Sequence, residues 1–335
     1  MKKITLLALG VFTILVMSAC GETNDAGNTE SDGDVYTLKI ASSLSEGDPI
    51  YDGMVDLSES VEEKTDGGLI IEVYGNDALG ELNDIIEQAK EGANVAALVD
   101  SGRLADYIPE MGVLTAPYIV EDYDAALKVT DSDLFEGWNS QLREQEGLDI
   151  LAFNWYQGDR HFITKNPVEN PEDLKGLKIR TIDSAVASKT MNSLGVSPTG
   201  EAFSEVYSAI QQGVIDGAEA QFPALWDQKL YEVAPNIAKT GHFQLLTGII
   251  AGETFIDNIP EEYNDILHEE AFNLGEEASR NTIDSLDTYE NDMKENGVEI
   301  TEVDTELFKE KTDEIYTEID GYEELKNEIE DILGE

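Results

Sequence analysis

Cysteine and histidine are scarce in this 335-residue chain, and each shortage excludes a class of site. The single cysteine excludes an internal disulfide and a thiolate metal cluster. His161, His242 and His268 lie far apart in sequence, and His268 has no second histidine at zinc-helix spacing. Neither common type of phosphate-binding glycine loop is present. We therefore expect no metal and no cofactor.

Basic side chains are also few. The chain carries 21 lysines and arginines against 71 acidic residues, which gives a formal net charge of −50. Nucleic-acid affinity rests on basic side chains that neutralise phosphates, so a nucleic-acid partner is excluded. An excess of acid on this scale favours a high-salt habitat, where screening reduces the self-repulsion of the chain.

The first residues are typical of an exported protein. Met1-Lys2-Lys3 precedes an apolar run from Ile4 to Met17, which is shorter than the ~20 residues a membrane-spanning helix needs. This pattern predicts a signal peptide over residues 1–19. The run ends in Met17-Ser18-Ala19-Cys20-Gly21, which resembles the lipobox of bacterial lipoproteins.

Lipidation of Cys20 accounts for the only cysteine of the chain, and a plain secreted protein is the alternative. Two acyl chains are enough for stable membrane anchoring. Residues 20–35 then form a lipidated cysteine and a tether, because the segment 21–34 has no large apolar residue to bury.

Short β-branched runs alternate with helical patterns in the remaining ~300 residues, which predicts an α/β fold with two lobes. The pattern predicts eight strands, at 37–41, 69–74, 95–99, 149–153, 177–181, 214–219, 245–251 and 298–301. A helical stretch from Pro260 to Asn296 is interrupted only by Gly275. It is either two helices or one helix that spans both lobes.

Two of the five arginines have informative positions. Arg180 ends the apolar strand Leu177-Lys178-Ile179, and Arg160 follows Gly158-Asp159. An arginine at a strand end is well placed to form a bidentate pair with a carboxylate. A structural ion pair with one of the many acids is the alternative. Acid pairs occur at every spacing in so acidic a chain, so they neither support nor exclude a glycosidase.

These segments resemble the solute-binding proteins of TRAP (tripartite ATP-independent periplasmic) transporters, the dicarboxylate-binding-protein family. The resemblance covers nearly the whole chain from Tyr36 onward. It rests on the order and spacing of several blocks, which are Leu79-Gly80-Glu81, Ala116-Pro117-Tyr118, Gly158-Asp159-Arg160, Pro171 to Arg180, Ser204 to Glu219, Lys229 to Val233 and Thr240-Gly241-His242.

The resemblance implies two α/β lobes joined by a hinge of crossing strands, with a long helix bracing both. It assigns residues 36–157 and about 243–285 to lobe I, and residues 158–242 and about 286–335 to lobe II. A ligand sits in the cleft, and the lobes close around it. Members of the family bind and deliver solutes without transforming them, so we do not expect an enzyme.

The resemblance also implies the roles of individual residues. Arg180 is the main anchor for a carboxylate, and Arg160 is either a second cationic contact or a support that orients Arg180. Phe203 packs an apolar wall, or belongs to ordinary helix core. Trp155 stacks on the ligand or fills the hinge. Lobe I contributes Asp100 and Ser43.

One position departs from the pattern of the family. The family often carries an asparagine that reaches the bound carboxylate, and this sequence has Ala220 there, followed by Gln221. That contact is either lost or passed to Gln221. The aromatic residues Phe222 and Trp226 follow closely, which favours a monocarboxylate with a ring or an apolar portion.

The sequence thus predicts a monomeric receptor, anchored by lipid to the outer face of the cell membrane, that delivers an organic acid to TRAP permease subunits. The membrane is contacted only through the lipid. A lipid-anchored surface hydrolase is one alternative, and a binding protein for another importer or for a sensor is a second.

Overall fold

The computed structural model describes residues 35–334, so Cys20, the predicted signal peptide and the segment 21–34 lie outside the described residues. Strands and helices alternate along the described part of the chain. The strands are β1 (Tyr36–Ala41), β2 (Leu69–Tyr74), β3 (Val95–Asp100), β4 (Leu148–Asp159), β5 (His161–Thr164), β6 (Lys178–Arg180), β7 (Ser197–Thr199), β8 (Gly217–Ala220), β9 (Asn236–Lys239), β10 (Gln244–Gly252) and β11 (Glu299–Glu302).

The helices lie between these strands and after the last of them. They are α1 (Pro49–Lys64), α2 (Leu82–Lys90), α3 (Ser101–Leu104), α4 (Tyr123–Thr130), α5 (Asp133–Glu146), α6 (Ala185–Ser193), α7 (Val206–Gln212), α8 (Phe222–Asp227), α9 (Glu253–Asn258), α10 (Glu261–Glu295), α11 (Thr305–Thr312), α12 (Ile315–Glu318) and α13 (Tyr322–Leu333).

Two separate sheets form the centres of two lobes, which confirms the predicted α/β fold. The sheet of lobe I has the order β2-β1-β3-β10-β4, with β10 antiparallel to both of its neighbours. The sheet of lobe II has the order β11-β9-β5-β8-β6-β7. Both faces of the lobe I sheet are covered, by α1 and the start of α10 on one side and by α2, α4 and α5 on the other.

Two adjacent strand crossings of the chain form the hinge between the lobes. The first runs from β4 through Arg160 into β5, and the second runs from β9 into β10. The backbone N–H of Arg160 donates to the carbonyl oxygen of Phe243 at 3.0 Å, and Gln244 pairs with Asp159. The predicted hinge of crossing strands is therefore present, and Arg160 lies within it.

The long helix α10 is continuous over 35 residues, a length of about 52 Å at the usual rise per residue. It packs on α1 and β4 in lobe I and on α8 in lobe II, which confirms the predicted brace. Gly275 does not break the helix because it lies where the helix crosses β4. A Cβ at Gly275 would clash with Asn154 and lie 2.7 Å from the indole nitrogen of Trp155.

The last two helices return to lobe I. The Tyr316 hydroxyl donates to the carbonyl oxygen of Pro117 at 2.7 Å, and the Tyr322 hydroxyl donates to that of Pro109 at 3.2 Å. This packing differs from the expected assignment of residues 286–335 to lobe II. The apolar stripe of α13 indicates that the helix is half-buried, but the stripe carries no information about which lobe covers it.

The eight predicted strands are all present, and three further strands were missed. The missed strands are β5, β7 and β9, which contain three or four residues each. Runs this short are difficult to identify from alternation alone. The missed strand β5 is the inner strand that carries the chain out of the hinge into lobe II.

Residues 35–334 contain no helix that is long and apolar enough to cross a membrane. In the same range, no three His, Cys, Asp or Glu side chains are grouped so that they could hold a metal ion.

We predict that Gly275→Ala destabilises the protein by about 1–3 kcal/mol, because the added methyl group meets packed atoms of β4. Gly137→Ala is the matched control, since Gly137 is also inside a helix but has open space at the Cβ position. The Gly137→Ala change should raise the free energy of unfolding by up to ~1 kcal/mol. Urea unfolding of both variants measures the difference, and equal effects would contradict the close contact at Gly275.

Candidate functional site

A cavity lies between the two lobes, next to the hinge, and its atom-free volume, including space open to solvent, is about 480 Å³. Its polar lining comes from strand ends and the loops that follow them in both lobes. The polar lining residues are Ser42, Ser43, Asp100, Arg103, Gln157, Arg160, Arg180, Gln221 and Thr247.

Arg180 is a buried cation without a counter-ion. Its side chain lies at the end of β6 with only 5% of its surface exposed, and its Nε donates to the carbonyl oxygen of Glu201 at 3.0 Å. In the described part of the chain, no carboxylate pairs with Arg180 and no group accepts a hydrogen bond from its terminal amino groups. Burial lowers the pKa of Arg180 to about 10, so the guanidinium remains charged at neutral pH.

The ring of Phe203 packs against the Arg180 guanidinium. The Arg180 guanidinium lies 5.1 Å from the centre of the Phe203 ring, within the range of a cation–π contact. Phe203 lines the cavity and also packs into the core of lobe II, so both predicted roles are combined in one side chain. The ring limits the directions in which the guanidinium can lie.

Arg160 is fully engaged by the protein. Its guanidinium forms an ion pair with Glu219 on β8, donates to the backbone oxygen of Glu219, and donates to Gln221 Oε1 at 3.2 Å. Glu219 was missed at the level of sequence, where it was only one of many acids. Burial alone would raise the pKa of Glu219, but the charge of Arg160 lowers it to about 2.

Glu219 extends this support to the segment that follows Arg180. The Thr181 hydroxyl donates to Glu219 Oε1 at 2.7 Å, and the backbone N–H of Ile182 donates to the same oxygen at 3.3 Å. Arg160 and Arg180 are therefore connected through one carboxylate. This geometry favours the second of the two predicted roles for Arg160, the support that orients Arg180.

Gln221 lies at the cavity wall with both ends of its amide engaged. Its Oε1 accepts from Arg160, and its Nε2 donates to Gln157 Oε1 at 2.8 Å. Gln157 donates in turn to the Thr247 hydroxyl at 3.2 Å. Ala220 is fully buried in the core of lobe II and does not line the cavity. The amide beside the cavity therefore belongs to Gln221, one position after the place where the family often has asparagine.

Lobe I contributes a second, neutralised arginine. The Arg103 guanidinium pairs with Asp100, whose Oδ1 also accepts the backbone N–H of Arg103 at 3.2 Å. Asp100 and Ser43 line the cavity as the sequence predicted, whereas Arg103 was given no role. The spacing of three between Asp100 and Arg103 at the start of α3 is the signal that could have indicated it.

Trp155 does not reach the cavity. Its side chain is fully buried between α1 and α10, where its ring lies against Gly53 and Gly275. Trp155 fills the packed region beside the hinge, so the structure favours the second of its two predicted roles. Strand β4 is irregular where it pairs with β10, so alternation along the strand did not indicate which side chains face the cleft.

The rest of the cavity is aliphatic. These side chains come from both lobes and from segments that are distant in sequence, so only the fold brings them together. They are Leu44, Leu82, Leu98, Ile182 and Leu245.

Direct hydrogen bonds join the two lobes near the mouth of the cleft. Asn83 Nδ2 donates to Asp183 at 3.2 Å, and the Ser204 hydroxyl donates to Asp77 at 2.9 Å. A third contact joins the Gln228 amide to Asn76 at 3.3 Å. Each pair joins lobe I to lobe II, so these hydrogen bonds require the closed arrangement.

The same closure brings acidic side chains together. Asp48 caps α1 by accepting the Ile50 N–H at 2.8 Å, and its other oxygen is buried without a partner in the described residues. Asp227 of lobe II approaches it. Burial, together with the charges of Asp227 and Asp52, raises the pKa of Asp48 to about 7. Burial and Asp52 raise the pKa of Asp227 to about 6.

Residues 40–321 match the sequence model of the family described as bacterial extracellular solute-binding protein, family 7. Among curated proteins, the chain is 27% identical to the sialic acid-binding periplasmic protein SiaP of Vibrio cholerae over 321 residues, which is 96% of either chain.

The solved structures include an apo open TRAP periplasmic solute-binding protein from Escherichia fergusonii. It has a TM-score of 0.78 and 38% identity, and the match covers 89% of this chain and all of that one. The protein from Ochrobacterium anthropi with bound L-fuconate has a TM-score of 0.84 and 33% identity, over 88% and 99% of the two chains. The ligand-bound relative is thus the better structural match despite its lower identity, in agreement with closed lobes.

We predict that ionisation of Asp48 progressively destabilises the protein as pH rises from about 4 to 7. A raised carboxyl pKa means that the folded state favours the protonated form, so ionisation of Asp48 costs stability above its ordinary pKa and the cost is complete near pH 7. Asp48→Asn retains a capping side chain and should stabilise the protein at pH 8 by on the order of 1–3 kcal/mol.

Asp56→Asn is the control for this change. Asp56 is exposed on the same helix, so its replacement removes the same charge without relieving a buried one. Thermal unfolding of the three proteins from pH 4 to pH 8 makes the comparison. A stabilisation by Asp48→Asn that does not grow from pH 4 to pH 8, or equal stabilisation by both variants, would contradict the buried carboxyl pair.

Proposed function

This chain belongs to family 7 of the bacterial extracellular solute-binding proteins, and on that premise we propose that it is a monomeric, lipid-anchored receptor that delivers a small organic acid to a TRAP permease. Members of this family act outside the cytoplasm as substrate-binding receptors rather than enzymes. Neither a surface hydrolase nor a receptor for another class of importer is favoured by any feature of the cleft.

The observation that carries the proposal is the unpaired charge of Arg180. Burying a cation is costly unless an anion compensates it, and this guanidinium is 5% exposed with no carboxylate partner among the described residues. The protein has 71 acids from which a partner could have been drawn. An organic acid in the cleft supplies the missing anion, and a carboxylate matches the planar fork of an arginine.

The ligands named for the relatives agree with this chemistry. Sialic acid, named for the Vibrio cholerae protein, and L-fuconate, bound in the Ochrobacterium anthropi structure, each contain a carboxylate. By analogy, the carboxylate of the ligand of this chain would lie against Arg180 and Phe203. Ser43, Asp100 and the amide of Gln221 would face its polar remainder.

Arg160 is proposed to hold Arg180 in position through Glu219 rather than to touch the ligand. A cation that already satisfies a carboxylate, a carbonyl and an amide has little remaining capacity for another acceptor. Its positive charge also disfavours the charged form of Arg180 when the cleft is empty. A bound carboxylate would relieve that repulsion.

The lipid anchor is proposed on Cys20. Its support is the signal-like segment that ends in Ser18-Ala19-Cys20-Gly21 and the lack of any other cysteine in the chain. The polar segment from Gly21 to Asp34 would connect the lipid to the folded lobes. A tether of this kind would keep the receptor close to its permease at the cell surface.

We predict that Arg180→Gln abolishes binding of the organic acid, and that Arg180→Lys weakens it about 10–100-fold because lysine keeps the charge but loses the bidentate fork. The ligand is found first by a thermal-shift screen of organic acids that begins with L-fuconate. A true ligand at a hundredfold excess over Kd stabilises by about 2.7 kcal/mol. Titration calorimetry then gives the affinity of each variant.

Arg280→Lys is the control for this series, because Arg280 is an exposed surface residue that pairs with Asp124. It should bind with the affinity of the wild type. Arg180→Gln should also fold as stably as the wild type without ligand, since it removes an uncompensated buried charge. Unchanged affinity in Arg180→Gln would refute the assignment of the anchor.

We predict that Cys20→Ser releases the protein from the membrane into the medium, because it removes the thiol that carries the lipid. Growth with an alkyne-labelled fatty acid should label the wild type and leave the variant unlabelled. The two proteins should bind the ligand equally, since the folded lobes are unchanged. Retention of the variant at the membrane would contradict a lipid anchor on Cys20.

A further inference from the structure

The charges around the cavity are balanced by one negative charge on the ligand. Three arginines line the cavity, and two of them are neutralised within the described chain, Arg103 by Asp100 and Arg160 by Glu219. Three positive and two negative charges leave a net charge of +1, which is carried by Arg180. A ligand with one carboxylate balances this charge, whereas a dicarboxylate brings a second anion without a partner.

The mouth of the cleft strengthens this bias. The outer cavity between the lobes, which is lined by Arg103 and Arg180, also carries several carboxylates. These are Asp77, Glu81, Asp84, Asp183 and Glu201. A second carboxylate that extended from Arg180 toward the mouth would meet these acids at short range. The repulsion acts inside a partly desolvated space, where salt screens it poorly.

The inner part of the cavity does not supply the missing cation either. Beyond the two internal ion pairs it presents hydroxyl and amide groups, from Ser42, Ser43, Gln157 and Thr247, and aliphatic side chains. Hydroxyl and amide groups suit a neutral hydroxylated chain. A carboxylate placed against them would lose its water shell without an ion pair in return.

One residue, Asp100, neutralises the charge of Arg103. Asp100 engages the Arg103 guanidinium and its backbone N–H, while the Nε of Arg103 is buried without a partner. The guanidinium therefore lies at the cavity wall with its charge compensated. Without the Asp100 carboxylate, the cleft would contain two uncompensated arginines, one from each lobe.

We propose that this receptor selects acids with a single negative charge, and that Asp100 determines the selectivity by neutralising Arg103. The inference rests on the proposed function of the cleft as an organic-acid site. It assigns Asp100 a role in specificity, since the carboxylate removes a cation from the site. It also assigns Arg103 as the latent second anchor on lobe I.

The proposal predicts that Asp100→Asn changes the receptor from a monoacid to a diacid binder. Asparagine keeps the size of the side chain and the cap of α3 but frees the Arg103 charge. The test compares L-fuconate with galactarate, which has the same hydroxyl configuration and a carboxylate in place of the terminal methyl group. The affinity ratio should shift toward galactarate by about tenfold or more, since a charged hydrogen bond from the freed Arg103 to the second carboxylate strengthens the binding of galactarate alone.

Two controls identify the source of the shift. Asp56→Asn removes a carboxylate from the exposed face of α1, outside the cleft, without freeing an arginine, so it should change both affinities by a similar factor. Asp100→Asn with Arg103→Gln should lose the gain for galactarate, because the freed cation is gone. Circular dichroism and thermal unfolding establish that each variant is folded before titration.

The outcomes separate this inference from the proposed function. Wild-type binding of L-fuconate with no shift in Asp100→Asn would overturn the role of Asp100 and leave the receptor function intact. Tighter wild-type binding of galactarate than of L-fuconate would overturn the charge count, again without affecting the function. If neither acid binds to any variant, the selectivity proposal is overturned, because a freed Arg103 beside Arg180 should bind the dianion galactarate.

Discussion

The buried ion pair between Arg160 and Glu219 is the interaction on which the rest of the site depends. It joins the first hinge crossing to β8 in the centre of the lobe II sheet. Through Thr181 and Ile182, the same carboxylate holds the backbone that follows Arg180. Loss of one partner from such a pair leaves an uncompensated buried charge, which is much more costly than loss of the pair. The position of Arg180 is therefore set by a hinge residue, so lobe geometry and ligand anchor are mechanically connected.

Closure of the lobes is a balance of opposing contacts. Neutral or singly charged hydrogen bonds at the mouth favour it, whereas the approach of Asp48 and Asp227 opposes it whenever both are ionised. The long helix and the two crossing strands keep the lobes connected during the motion. A ligand that neutralises Arg180 adds its binding free energy to the closed side. On the proposed function, occupancy of the site would therefore favour closure of the lobes.

The charge of the whole protein and the charge of the cleft have opposite signs. A net charge of −50 repels an anionic ligand at a distance, whereas Arg180 attracts it within a few ångströms. Salt screens the long-range repulsion strongly and the contact inside the cleft weakly. High salt would therefore help an anion to reach this site more than it would weaken the bound state. The acidic surface and the anion site are compatible under that condition.

The sequence pattern predicted the α/β class, and the resemblance to a known family predicted the hinge of crossing strands, the long bracing helix and the candidate anchors Arg180 and Phe203. These follow from periodicity along the chain and from blocks of residues with a characteristic order, which are local properties. Tertiary structure decided which charges are compensated, and it placed Glu219 behind Arg160, Asp100 against Arg103, and Trp155 inside the core. Among 71 acids, spacing cannot identify the one that pairs with a given arginine. Pairing depends on which strands are neighbours in space, and only the folded lobes define that.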